Sequence, residues 1–132
     1  MMTMVLYHDN CPDGFTAAWA VWKALGDRAE YRAMNYGQGL PSSPDYKGRR
    51  LIFVDFALPR SELETLIRAG ARVEVYDHHK TAEADLRDLP GARIVFDMNR
   101  SGASIAWDAF HQDSTLWMGL RPNLIDYVED RD

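Results

Sequence analysis

The chain has a single cysteine, Cys11, among its 132 residues, so no disulfide can form within it. The expectation is a reducing, cytoplasmic setting. No apolar run is long enough to span a bilayer. The opening stretch Met1-Met2-Thr3-Met4-Val5-Leu6-Tyr7-His8 lacks the charged start and extended apolar core of a secretion signal. Basic residues are in the minority, with 15 Lys and Arg against 20 Asp and Glu and a net charge of -5. That balance argues against a broad cationic face holding long duplex nucleic acid, and the lack of a spanning apolar run leaves no membrane expected as partner. It leaves room for a small phosphorylated substrate, because bound divalent cations reverse the local sign of the field. Repeats, low-complexity tracts and linkers are absent too, so residues 1–132 read as one domain with a real core.

What is present is an alternation of apolar strands and amphipathic helices. Met4-Val5-Leu6-Tyr7 reads as a strand and His8 to Gly14 as the polar loop leaving it. Phe15, Ala18, Trp19, Trp22 and Leu25 recur at helical spacing and are expected to form a core stripe, with Gly26-Asp27 ending that helix. A weaker strand is expected from about Glu30 to Asn35, then a loop rich in Gly, Pro and Ser up to Arg50. Leu51-Ile52-Phe53-Val54 is the clearest strand and runs straight into Asp55. Ser61-Glu62-Leu63-Glu64 matches a capping box, opening a helix whose apolar face is Leu63, Leu66 and Ile67. Gly70 closes that helix, and Arg72-Val73-Glu74-Val75 leads into Tyr76-Asp77-His78-His79-Lys80-Thr81. A short helix over Ala82 to Arg87, a strand Ala92–Phe96 ending at Asp97, and helices from Ser101 to His111 and from Pro122 to Glu129 complete the reading.

Strands and helices alternating over short connections predict an α/β fold, a mostly parallel sheet of about five strands with helices on both faces. Ligands of such sheets bind in the crevice outside the carboxyl ends of the strands. The chain delivers His8 and Asp13, then Asp55, then Asp77, His78 and His79, then Asp97 to that one edge. Each acid alone is ordinary turn chemistry. Together they are costly, because carboxylates crowded at one edge raise each other's pKa unless cations neutralise them. Asp and His are ligands for first-row divalent metals, so the edge reads as a metal site. Asp55, following a central apolar strand, is the natural bridge between two ions.

These stretches resemble the DHH phosphoesterase superfamily, whose signature appears here as Asp77-His78-His79. The family's first motif, a His before an acidic pair and Gly, is similar to His8 to Gly14. Its second, an apolar strand ending in Asp, is similar to Leu51 to Asp55, and its fourth, a late Asp, to Tyr127-Val128-Glu129-Asp130. The resemblance covers nearly the whole chain in the family's order. It implies a metal-dependent phosphohydrolase that cleaves a phosphodiester or phosphoanhydride in a small phosphorylated substrate, such as a nucleotide or short single-stranded oligonucleotide. It implies two divalent ions, usually Mn2+, with Mg2+ or Zn2+ as alternatives. His8, Asp13, Asp55, His78 and Asp130 would be their ligands. Asp77 would support the neighbouring imidazoles, and His79 would meet the phosphate or act as general acid to the leaving oxygen. Catalysis would thus rest on Asp77, His78 and His79.

Two departures from the pattern stand out. Aligned on Asp13-Gly14, the family's other first-motif acid falls on Cys11. Cys11 is then a softer ligand favouring zinc or iron, or a small buried side chain at a tight turn, with Asp9 as a substitute ligand. Family members also continue into a smaller domain that closes over the edge, whereas this sequence stops at Asp130-Arg131-Asp132. The expectation is an open site of low substrate affinity, with Asp132 and Glu129 as rivals to Asp130 for the late ligand. Arg100, Ser101 and Gly102 precede a helix and read either as a phosphate cradle or as a plain N-cap. Lys80 and the Lys47-Gly48-Arg49-Arg50 patch read as surface, and His111 as a helix-end residue. The rival functional reading is a weak or inactive binding module, or a fragment needing a second domain or partner. A nucleotide-binding flavodoxin-like domain ranks last, because the loop leaving the first strand holds Gly14 alone where a glycine-rich phosphate loop would be expected. Tryptophan-rich helices with no second domain to cover them suggest a homodimer, which a single monomer mass in light scattering would reject.

Overall fold

A computed structural model of the chain describes residues 3–40, 45–111 and 123–131, the last segment in part. Its centre is strand β3 (Arg50–Val54), in which Leu51, Ile52, Phe53 and Val54 are all fully buried. A strand buries consecutive side chains only when both faces of its sheet are covered. Here β3 lies between β1 (Thr3–His8) and β4 (Arg72–Asp77), with β2 (Ala29–Met34) beyond β1 and β5 (Ala92–Phe96) beyond β4. All neighbouring pairs are parallel, in the order β2-β1-β3-β4-β5. The α/β fold expected from the alternation is therefore the one observed, as a doubly wound sheet.

Register produces two cores. Leu6, Phe53 and Val75 are partners across three strands and point to one face, where they meet Leu63 and Leu66 of α2 (Arg60–Arg68) and Leu86 of α3 (Lys80–Leu86). Val5, Ile52 and Val54 point to the other face. There they meet Ala17, Ala20 and Val21 of α1 (Pro12–Leu25), Ala103, Ala106 and Trp107 of α4 (Gly102–His111), and Ile125 and Val128 of α5 (Asn123–Arg131). Each fully buried Leu, Ile or Phe contributes about 1.5–3 kcal/mol from surface removed from water. Glu74 is the exception on this second face, buried beside Ile52 in register. The Arg50 guanidinium donates to it at 3.0 Å and the Tyr76 hydroxyl at 2.8 Å, so the charge is fully paired.

Two local expectations are corrected. The α1 core stripe is only partly the expected one: Ala18 is buried and Trp19 and Leu25 pack against the core, but Phe15 is 62% exposed and Trp22 45%, while Gly14, Ala17, Ala20 and Val21 are buried. Small residues win because α1 lies very close to β1; a Cβ on Gly14 would stand 2.3 Å from the His8 carbonyl oxygen. Second, α2 begins after Pro59, and no side-chain capping bond forms at its own start. The Asp85 carboxylate accepts from the Arg60 amide at 2.9 Å instead, a cap supplied from α3. As expected, Gly26-Asp27 end α1, which stops at Leu25 and passes through one turn of 3-10 helix at Gly26–Arg28 before β2.

Candidate metal centre

Sequential strands β1 and β2 are neighbours, but the chain then crosses β1 to lay down β3. That reversal opens a crevice between β1 and β3 at their carboxyl ends, the usual ligand position in such sheets. His8 closes β1, Asp55 follows β3, and Asp77 closes β4 with His78 and His79 just beyond. Lys47 to Arg50 lie at the opposite ends of the strands, as expected, with Arg50 opening β3.

Asp55 sits in a left-handed backbone conformation at φ 54, which Asp tolerates better than most residues. Its amide still donates to the Tyr76 carbonyl at 2.9 Å, so the turn leaves the sheet ladder intact. Gly102 lets the side chain lie where it does, because a Cβ there would come within 2.7 Å of Asp55 Cβ and Oδ1. The His78 ring closes the arrangement, with Nε2 2.9 Å from Asp55 Oδ1 and 3.2 Å from Asp13 Oδ2. Asp55 and Asp13 are 1% and 3% exposed.

Asp13 has a different duty from Asp55. Its Oδ2 accepts the Gly102 amide at 2.9 Å and its Oδ1 the Ala103 amide at 2.7 Å. An internal carboxylate thus occupies the N-terminus of α4 and ties α1 to it. The helix start that read as a phosphate cradle is therefore already filled. Ser101 Oγ accepts the Ser104 amide at 3.0 Å as an ordinary N-cap. Arg100 turns back on its own helix, bonding Ser104 Oγ at 3.1 Å and pairing with Asp108.

Asp77 is fully buried and holds both imidazole residues. Its Oδ1 accepts the His78 amide at 2.8 Å and lies 2.7 Å from His79 Nδ1. The second oxygen, Oδ2, is buried and has no hydrogen-bond partner, and the same is true of His8 Nδ1. Buried polar atoms left unpaired are rare and ask for an explanation. Both are metal-ligating atom types.

Ligand atoms from Asp55, Asp77, His78 and His79 lie within 4.8 Å of one another, as do those from His8, Cys11 and Asp55. Asp55 belongs to both groups. Asp13 belongs to neither, its oxygens being taken by amides and His78. Asp9 is also outside, accepting the Asn10 amide at 2.9 Å. Asp97 does the same for Asn99 at 3.0 Å, as a turn acid outside both groups. Asp130 falls within α5, but its side chain lies outside the described residues, as does all of Asp132.

The charges are tightly coupled. Burial, together with the nearby Asp13 and against the pull of His78, pushes Asp55 up to about 6. Hydrogen bonds that the His78 imidazolium donates to the Asp13 and Asp55 carboxylates push His78 up to about 11. Burial works to raise Asp13 too, but His78 and the Ala103 and Gly102 amides outweigh it and hold it below 3.8. The trio therefore shares a proton on His78 that offsets buried negative charge. Burial pushes the Cys11 thiol up, with Asp55 adding to the rise, and its Sγ stands 3.6 Å from Asp55 Oδ2. A set of O, N and S donors converging around too little positive charge fits a divalent cation.

No local pattern singles out Tyr36 and Phe56, which wall the site beside His8 and His79. The Tyr36 ring packs 5.1 Å from both the His8 and Phe56 rings, and its oxygen lies 3.4 Å from His79 Nδ1. Burial and the Asp77 carboxylate push the Tyr36 phenol up to about 12, so it stays protonated. Only pairing β2 with β1 brings it there; nothing in its local sequence marks it.

No protein-family profile matches the chain. In sequence it is similar to an uncharacterized protein of Acanthamoeba polyphaga mimivirus, 28% identical over 142 residues, taking in 98% of this chain and 32% of that protein. In structure it is similar to an uncharacterized protein from Helicobacter pylori, with a TM-score of 0.66 at 17% identity, over 98% of this chain and 41% of the other. The structural likeness establishes a shared fold. The chain spans about a third of the viral relative's length and well under half of the bacterial one.

Proposed function

We propose that this chain is a divalent-metal-dependent phosphohydrolase domain of the DHH phosphoesterase type, acting on a small phosphorylated substrate such as a nucleotide or short oligonucleotide. The observation that carries the reading is Asp55, shared between two groups of converging donors at the β1/β3 crevice. His8, Cys11 and Asp55 would hold one cation, and Asp55 and His78, with Asp77 behind them, the second. When bound, divalent cations supply Lewis-acid charge that neutralises the phosphate and activates water. The chain's own residues do the rest. Asp77 fixes the His79 ring through Nδ1 at 2.7 Å, which leaves Nε2 as the nitrogen able to donate a hydrogen bond or proton to a leaving oxygen. Phe56 and Tyr36 shield one side of His8 from water. Mn2+ is the expected metal, with Mg2+ or Zn2+ as alternatives, and Cys11 weighs toward the softer ion. Among the described residues no helix is long and apolar enough to cross a membrane.

The test is Mn2+-dependent hydrolysis of bis-p-nitrophenyl phosphate, abolished in an Asp77→Ala, His78→Ala double variant. Manganese anomalous scattering at Asp55 with no turnover would identify a binding module instead. Neither scattering nor turnover would overturn the proposal.

A further inference from the structure

A cleft of about 720 Å³ opens beside the candidate centre, and none of the described residues lining it is Lys or Arg. Tyr36, Phe56, Leu58 and His79 form its apolar and aromatic walls, and Gln38 and Glu62 add polar atoms. Tyr36 is held by ring contacts to His8 and Phe56 yet remains 56% exposed. A ring fixed on one side and open on the other is a ready stacking platform. The charge of the cleft sets what can occupy it. Among the described residues its wall carries the Glu62 and Asp85 carboxylates and neither Lys nor Arg, which disfavours a second phosphate and suits a neutral planar group with N–H donors, which a carboxylate accepts.

We propose that this cleft is a nucleobase subsite, with the base stacked on Tyr36, its N–H groups donating to Glu62 and the attached phosphate reaching His79. The inference rests on the phosphohydrolase reading and narrows its substrates to nucleoside-bearing esters, in preference to inorganic phosphoanhydrides. Guanine, with adjacent N–H donors on one edge, suits the carboxylate best.

Calorimetric titration of the protein without added metal, using guanosine 5′-monophosphate and ribose 5-phosphate, separates the subsite from the chemistry. The nucleotide should bind at least tenfold more tightly, since stacking on an aromatic side chain is worth about that much or more. The Tyr36→Ala variant should lose the difference and Tyr36→Phe keep it, with circular dichroism confirming that both fold. Equal affinity for the two ligands, or no nucleotide binding at millimolar concentration, would overturn the subsite. Hydrolysis of bis-p-nitrophenyl phosphate, measured separately, reports on the metal centre alone, so either idea can fail without the other.

Discussion

Neutralising Asp13 is the sharpest test of how this site is built. In the Asp13→Asn variant the side-chain oxygen can still accept one of the Gly102 and Ala103 amides, now bonded at 2.9 and 2.7 Å. The new amide group faces the other N–H, donor against donor. A buried donor left unsatisfied costs about 1–3 kcal/mol. Loss of the negative charge at the α4 N-terminus adds about 0.3–1 kcal/mol. The expected loss is therefore about 1–4 kcal/mol, a sizeable share of the roughly 5–15 kcal/mol that holds a domain together. Urea unfolding in the presence of chelator measures it directly, and an unchanged slope would show that the folded state keeps its compactness. A carboxylate present solely to hold a cation behaves in the opposite way. In metal-free protein it repels Asp55, so removing its charge would stabilise the fold. A variant at least as stable as the parent would refute the clamp. The pH profile gives a second check. Asp13 is held below 3.8 in the folded state, so its contribution is present above that value and is lost as pH falls through the folded one. The Asn variant should lack that acid-induced loss.

Three further outcomes follow from the same geometry. Asp55→Asn should keep metal-free stability within about 1 kcal/mol of the parent, because Asn also tolerates φ 54 and burial already disfavours the charge. The same variant should lower Mn2+-dependent hydrolysis on the order of 100-fold or more; unchanged turnover would remove Asp55 from the chemistry. Gly102→Ala places a methyl 2.7 Å from Asp55 Cβ, so overpacking should cost about 1–3 kcal/mol in thermal or urea unfolding, and a neutral result would mean that Asp55 moves freely. His111 donates from Nε2 to the Ala20 carbonyl at 2.6 Å, and burial holds its pKa below 6.5, so stability should fall as pH drops below that value. Melting curves of His111→Gln should lose that part of the slope, whereas His78 and His79, with raised values, act in the opposite sense.

Sequence and structure agree where the physics is local. Leu51 to Val54 reads as a buried parallel strand because an unbroken apolar run suits a strand covered on both faces. Asp55, Asp77, His78 and His79 stand out because polar residues follow such runs directly. On α1 the expected stripe holds at Ala18, Trp19 and Leu25 but not at Phe15 and Trp22, because hydropathy finds large apolar residues whereas close approach to β1 selects Gly14, Ala17 and Ala20. The cap on α2 comes from Asp85 and not from Ser61, a contact across 25 positions that no local pattern encodes.

By itself the sequence determined the α/β class, the strand ends and the acids and imidazoles they carry, since period and composition act over a few residues. Tertiary structure alone decided that Asp13 caps α4, that Asp55 belongs to both donor groups, and that Tyr36 and Phe56 wall the crevice. Those outcomes depend on the order β2-β1-β3, and strand order is fixed by packing between residues far apart in the chain.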